Sequence, residues 1–200
     1  MKTLVKFSIW LFFIFSTISL SSQENSPKVW ELDHNHTSVN FGVKHFFNTV
    51  NGIFQEKEGT FVFDQNNLSE SKFTFKIPVA SIDTNIEKRD KHLKSADFFE
   101  AEKYPFITFN STKIEKVSAN DYRVTGDLTI KDVTKSIIVP FQITGEMESP
   151  MMKGTLILGL AFKTTINRTD YNVGVGNWAA TMVVGDNVTV EINMELNSKI

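Results

Sequence analysis

The 200-residue chain contains no cysteine. That excludes disulfides, cysteine-ligated zinc and anchoring through a lipidated cysteine, whatever the compartment permits. Stability must therefore come from apolar packing and the backbone ladder. Excess positive charge is also lacking: 21 Lys and Arg stand against 23 Asp and Glu, a formal charge of −2. No basic field for nucleic acid follows from that balance. No Gly-x-Ser-x-Gly elbow and no phosphate-cradling glycine loop occurs, so the sequence gives no support to nucleophilic catalysis or nucleotide binding.

Long apolar runs are scarce, with one exception at the start. Lys2 and Lys6 precede a run from Phe7 to Leu20, and the small polar Ser21 and Ser22 follow. This charged, apolar, small-residue order is that of a secretory signal peptide, and the run is short for a membrane span. The expected division is a signal over residues 1–22 and one globular domain over 23–200, exported to a periplasm or secreted. Losing the two lysines would leave the domain at −4.

What is present is period-two alternation, repeated eight times after Pro27. Val39, Phe41 and Val43 share one face of a strand, as do Phe61 with Phe63, and Phe73, Phe75 and Ile77. The pattern returns from Ile107 to Ser111, Tyr122 to Ile130, Val139 to Ile143, Leu156 to Phe162 and Val188 to Leu196. Turn signals separate the runs, among them Asp64 to Asn67, Gly145 to Gly154 and Gly185-Asp186-Asn187. Short connections imply antiparallel neighbours. Eight strands with one apolar face each suit an all-β, eight-stranded antiparallel barrel, because closure removes exposed edges. A sandwich would give a similar pattern, but strands near ten residues are long for a small one. Thr164 to Ala180, rich in Asn and Gly, reads as a long rim loop.

One stretch breaks the alternation. Thr84-Asn85-Ile86-Glu87 matches a capping box, and a helix over about 85–95 is expected after it. Glu87 with Lys91 and Asp90 with Lys94 are acid-before-base pairs four apart, each worth only ~0.2–0.5 kcal/mol. So short a helix must dock to persist. Its narrow apolar side is Ile86 and Leu93, with Phe98 and Phe99 just beyond. It closes one end of the barrel, as a plug that completes the core or as a lid over a ligand cavity.

The stretch from Ser81 to Thr112, SIDTNIEKRDKHLKSADFFEAEKYPFITFNST, resembles the signature of the YceI family of exported, lipocalin-like polyisoprenoid-binding proteins. Leu32 to His45 resembles that family's opening strand, Gly126 to Glu146 its central hairpin, and INRTDYNVG with VVGDNVTVEINMEL its last hairpin. The likeness spans Val29 to Asn197. It implies a lipocalin-like barrel that holds an isoprenoid lipid, of prenyl-quinone or polyprenyl type, in an apolar tunnel, and it favours the lid. The ligand would be the bound lipid, with no cofactor and no enzymatic activity. Along the barrel the expected contacts are Phe41, Val43, Phe61, Phe63, Phe73, Phe75, Phe109, Leu128, Phe141, Leu158 and Phe162. Leu93, Phe98 and Phe99 would cover the tunnel, with Arg89, Asp90 and His92 as polar groups at its mouth. Burying about 400 Å² of prenyl surface would favour binding by roughly 10 kcal/mol, against an association cost of about 4–15 kcal/mol.

His34 and His36, two apart on one expected strand face, make a weak metal pair without cysteine or a carboxylate cluster nearby in sequence, so no metal is expected. Two other functions fit parts of the sequence. A barrel enzyme acting on an amphipathic substrate would use His36, His45 or Asp90. An interaction module of the cell envelope would present the loop from Thr164 to Ala180. Transient contact with a membrane or envelope protein is compatible with the lipid-carrying reading.

Overall fold

In the computed structural model, which describes residues 27–180 and 182–200, the segment read as a signal peptide lies outside the described residues. The chain forms eleven strand segments, eight of which carry the alternating runs: β1 (Val29–Leu32), β2 (Ser38–His45), β3 (Asn48–Phe54), β4 (Glu58–Val62), β5 (Lys72–Pro78), β6 (Ile82–Asp83), β7 (Phe106–Lys116), β8 (Asp121–Ile130), β9 (Val133–Glu148), β10 (Thr155–Asn167) and β11 (Asn187–Lys199). All pair antiparallel.

Eleven segments fill eight strand positions. Both β1 and β2 lie along β11, β4 and β3 lie along them in turn, and β5 and β6 take the third position. β7 to β10 then follow in order, and β10 pairs with β11 along thirteen residues, which closes the barrel. Each of the eight alternating runs marks one of these positions. Asn48–Phe54 escaped the sequence reading because Gly52 interrupts its apolar face.

The barrel is filled at one end. Trp30, Phe61, Phe63, Phe73, Tyr122, Phe141, Leu158, Leu160 and Leu196 are each at most 3 % exposed. Tyr122 stacks on Phe141 and Phe141 on Phe162, with centroids 5.2 and 5.1 Å apart. Such pairs add about 0.5–1.5 kcal/mol each beyond the area they bury. Polar groups caught in this floor are satisfied: Trp30 Nε1 donates to the Phe63 carbonyl at 2.9 Å, and the Ser111 hydroxyl accepts the Phe73 N–H at 2.8 Å beside a bulge in β7.

The other end carries helix α1 (Glu87–Lys94). It begins later than the capping-box reading expects. Asn85 sits at φ 61°, in the left-handed region, and Ile86 is the residue before the first turn, with no side-chain cap. The Thr84 hydroxyl is turned to Asp90 instead of to a helix amide, which also takes Asp90 away from Lys94. Glu87 does meet Lys91 at 2.7 Å, but both side chains are exposed. Ile86 is half exposed, so Leu93 alone of the two expected docking residues packs inward. The expected loop from Thr164 is shorter than its composition suggests: β10 runs to Asn167, and 3₁₀ turns follow at Arg168–Tyr171 and Gly176–Trp178.

Candidate functional site

Above the aromatic floor the barrel holds a cavity of about 230 Å³ with a wholly apolar surface. Its walls come from the mouth-side halves of the strands: Phe41 and Val43 of β2, Phe75 and Ile77 of β5, Phe109 of β7, Leu128 of β8, Phe162 of β10 and Val190 of β11. Leu93, Phe98 and Phe99 form its roof. Eleven of the fourteen expected contact positions border it: Phe41, Val43, Phe61, Phe73, Phe75, Phe109, Leu128, Phe162, Leu93, Phe98 and Phe99. Phe63, Phe141 and Leu158 do not. Their faces were read correctly as inward, but alternation carries no depth coordinate, and these three pack into the floor below the cavity.

The roof is held by polar contacts. Asp90 Oδ1 accepts the Thr84 N–H at 2.9 Å and the Thr84 hydroxyl at 2.5 Å. Arg89 reaches the same residue, Nε donating to Thr84 Oγ1 and a terminal nitrogen to the Thr84 carbonyl, both at 2.7 Å. Thus Arg89 and Asp90, expected at the mouth as polar groups, tie α1 to the end of β6. His92 Nε2 lies 2.9 Å from Asp97, and its ring meets Phe98 and Trp178 edge-on at 5.0 and 4.8 Å. These contacts join the helix to the segment after β10.

That segment is organised by Arg168, a residue sequence reasoning passed over although it lies within INRTDYNVG. It is 5 % exposed. Nε donates to the Gly185 carbonyl, one terminal nitrogen to Val173 and Gly174, and the other to Trp178, Val184 and the Asp186 carboxylate. The five N–H donors of the guanidinium are therefore engaged by the loop backbone and one acid, none left for the cavity that Arg168 borders. Burial pushes its pKa down, and the Asp186 charge works against that. Gly174 permits the arrangement: at φ 63° it leaves a space where a Cβ would stand 2.7 Å from both Arg168 and Phe98. The available signal was the one arginine of this glycine- and asparagine-rich turn region, where Asp170 is the only other charged residue.

The histidines are scattered. His34 and His36 lie in the bend between β1 and β2, not on one strand face, and His45 is exposed at the β2–β3 tip. Asp33 bonds to His36 at 3.0 Å, and this hydrogen bond, then its charge and that of Glu195, raise the His36 pKa above the ordinary value. Neither His36, His45 nor Asp90 borders the cavity, whose lining contains Arg168 as its sole ionisable group among the described residues.

A family model described as YceI-like domain matches residues 30–196. Protein YceI of Escherichia coli is 36 % identical over 157 residues, covering 78 % of this chain and 81 % of that protein. The crystal structure of BcnA from Burkholderia cenocepacia superposes with a TM-score of 0.75 at 27 % identity, over 82 % of this chain and 99 % of that one. A polyisoprenoid-binding domain from Saccharophagus degradans, implicated in plant cell wall breakdown, shares the fold at a TM-score of 0.59 and 14 % identity, over 86 % and 98 % of the two chains.

Proposed function

The chain belongs to the YceI-like domain family, and from that premise we propose that it is an exported binding protein that carries or sequesters an isoprenoid lipid of prenyl-quinone or polyprenyl type. The lipid tail occupies the cavity and its head group stays at the rim beside α1. One observation carries this reading: the cavity is apolar throughout, closed below by packed rings and roofed by Leu93, Phe98 and Phe99. Such a site offers affinity without polar contacts, and it offers no acid, base or nucleophile for a reaction. Binding, with no cofactor, is therefore favoured over catalysis. Export is supported by the order of charged, apolar and small residues at the chain's start.

The cavity is smaller than the ~300–1,000 Å³ usual for small-molecule sites. A tail of several prenyl units enters only if rings in the wall turn aside, and Phe41, Phe109 and Phe162, which are only partly buried, are placed to do so.

Protein purified from its native host and extracted with organic solvent should release a prenyl lipid detectable by mass spectrometry. Empty extracts, combined with failure of the delipidated protein to take up an added prenyl quinone, would overturn the proposal.

A further inference from the structure

Where β1 gives way to β2, the ladder along β11 is interrupted. Leu32 pairs with Leu196 and Ser38 with Asn193, so the five residues 33–37 arch over only two residues of β11. The arch brings Asp33 and His36 against Glu195, whose backbone is gripped by Asp33 N–H at 2.9 Å and by the Thr37 hydroxyl. His36 Nδ1 lies 3.0 Å from Asp33 Oδ2 and 3.8 Å from Glu195 Oε1, and one ligand atom from each of the three residues lies within 4.8 Å of the others. Sequence spacing could have offered Asp33, three positions before His36, but not Glu195, which is 159 positions away.

Asn197 borders the same group. It lies two positions along β11 from Glu195, so its side chain is on the same outer face. Its Nδ2 makes a long 3.5 Å contact with Asp33 Oδ2, while its Oδ1 is buried without any hydrogen-bond partner. A buried amide oxygen without a donor is costly. Rotating the amide by half a turn, which exchanges its oxygen and nitrogen, would bring that oxygen beside the Asp33 carboxylate. Two oxygens then face each other, an arrangement that a cation between them would favour; without one, the amide N–H faces the Asp33 carboxylate, as it does here.

We propose that Asp33, His36 and Glu195, with the Asn197 amide oxygen as an adjacent fourth donor, form a surface site for a zinc-class divalent cation that clips the β1–β2 break to β11. An imidazole with carboxylate oxygens suits zinc and its borderline neighbours better than magnesium or calcium, which take oxygen-only sets. Tetrahedral ligands at zinc bond lengths stand about 3.3 Å apart. The 3.0 and 3.8 Å separations already bracket that value, and a rotamer change of the partly exposed Glu195 side chain closes the remaining gap. The site lies at the seam where the first strand position meets the last, outside the cavity, so it is independent of the lipid proposal.

The test is calorimetric titration of the full chain, stripped with EDTA, by zinc chloride, with magnesium and calcium chloride in parallel. One saturable zinc site per chain is expected, with a rise in thermal midpoint on saturation. His36→Gln and Glu195→Gln should each weaken zinc at least tenfold, while His34→Gln changes affinity less than twofold. The His36 side chain is 65 % exposed, so its replacement leaves folding intact and decides the matter alone. Absence of saturable binding, undiminished binding in His36→Gln, or magnesium binding as tight as zinc would each overturn the proposal.

Discussion

Thr84 gives both of its polar hydrogens to Asp90, the backbone N–H at 2.9 Å and the hydroxyl at 2.5 Å, on one carboxylate oxygen. Thr84 is buried, and its hydroxyl and carbonyl are also held by Arg89. The last turn of chain before α1 is thereby bonded to the helix it precedes, without the reciprocal capping that its sequence suggests. Hydrogen bonds to a charged group contribute about 1.5–3 kcal/mol. Asp90→Ala should therefore lower stability by about that amount, read as a drop in urea midpoint. Amide exchange should accelerate first across residues 86–99, and Asp90→Asn should recover part of the loss.

The floor and the cavity wall should respond oppositely to substitution. Phe63 is 2 % exposed among Phe73, Tyr122 and Phe141, so Phe63→Ala should cost about 3–5 kcal/mol. Leu128 borders the cavity. Leu128→Trp fills open space, so stability should change by less than ~1.5 kcal/mol, while uptake of a prenyl quinone falls at least tenfold. Denaturation curves and fluorescence-detected quinone binding on both variants separate the two roles.

Arg168→Met should cost about 3–5 kcal/mol, because it strands five backbone carbonyls and Asp186 in a buried setting. Arg168→Lys should rescue little, since an ammonium cannot reproduce the planar five-donor fork. Limited proteolysis would report the loss as new cleavage between Thr169 and Asp186. Wild-type-like resistance in Arg168→Met would contradict this account.

Asp83 supplies a pH-dependent contribution at the approach to α1. The Asn85 N–H at 2.7 Å, and then the Gln55 side chain at 3.1 Å, hold its pKa below the ordinary carboxylate value. A depressed folded-state pKa stabilises the fold above the unfolded-state pKa of about 3.9, and that contribution disappears as pH falls through the folded value. The difference in urea midpoint between wild type and Asp83→Asn should be full at pH 6 and vanish in the acid limb. A difference that persists unchanged at pH 2 would show that the substitution acts through packing.

Much of this molecule follows from the sequence alone. The eight alternating runs place an inward face on every strand position, because a strand presents successive side chains to opposite sides whatever its neighbours are. The charged interruption at Glu87–Lys94 marks the helix for the same reason, since local spacing suffices to state which residues share its surface. Leu93, Phe98 and Phe99 were legible on that basis as an apolar side that must dock, together with Ile86, which is exposed instead; that they cover a cavity was implied by the family resemblance.

Tertiary structure decided what depends on depth and on long-range approach. Phe63 and Phe75 are equally apolar and equally inward, yet one fills the floor and the other borders the cavity, because strand stagger sets height along the barrel. Thr84 bonds to Asp90 instead of capping a helix amide because Asn85 turns through a left-handed conformation between them. His36 gains Glu195 only when β11 closes against the break between β1 and β2. Alternation fixes the side of a sheet on which a residue lies, a local property of the backbone; which residues then meet across the interior, or at the seam, is set by register and closure, which belong to the whole chain.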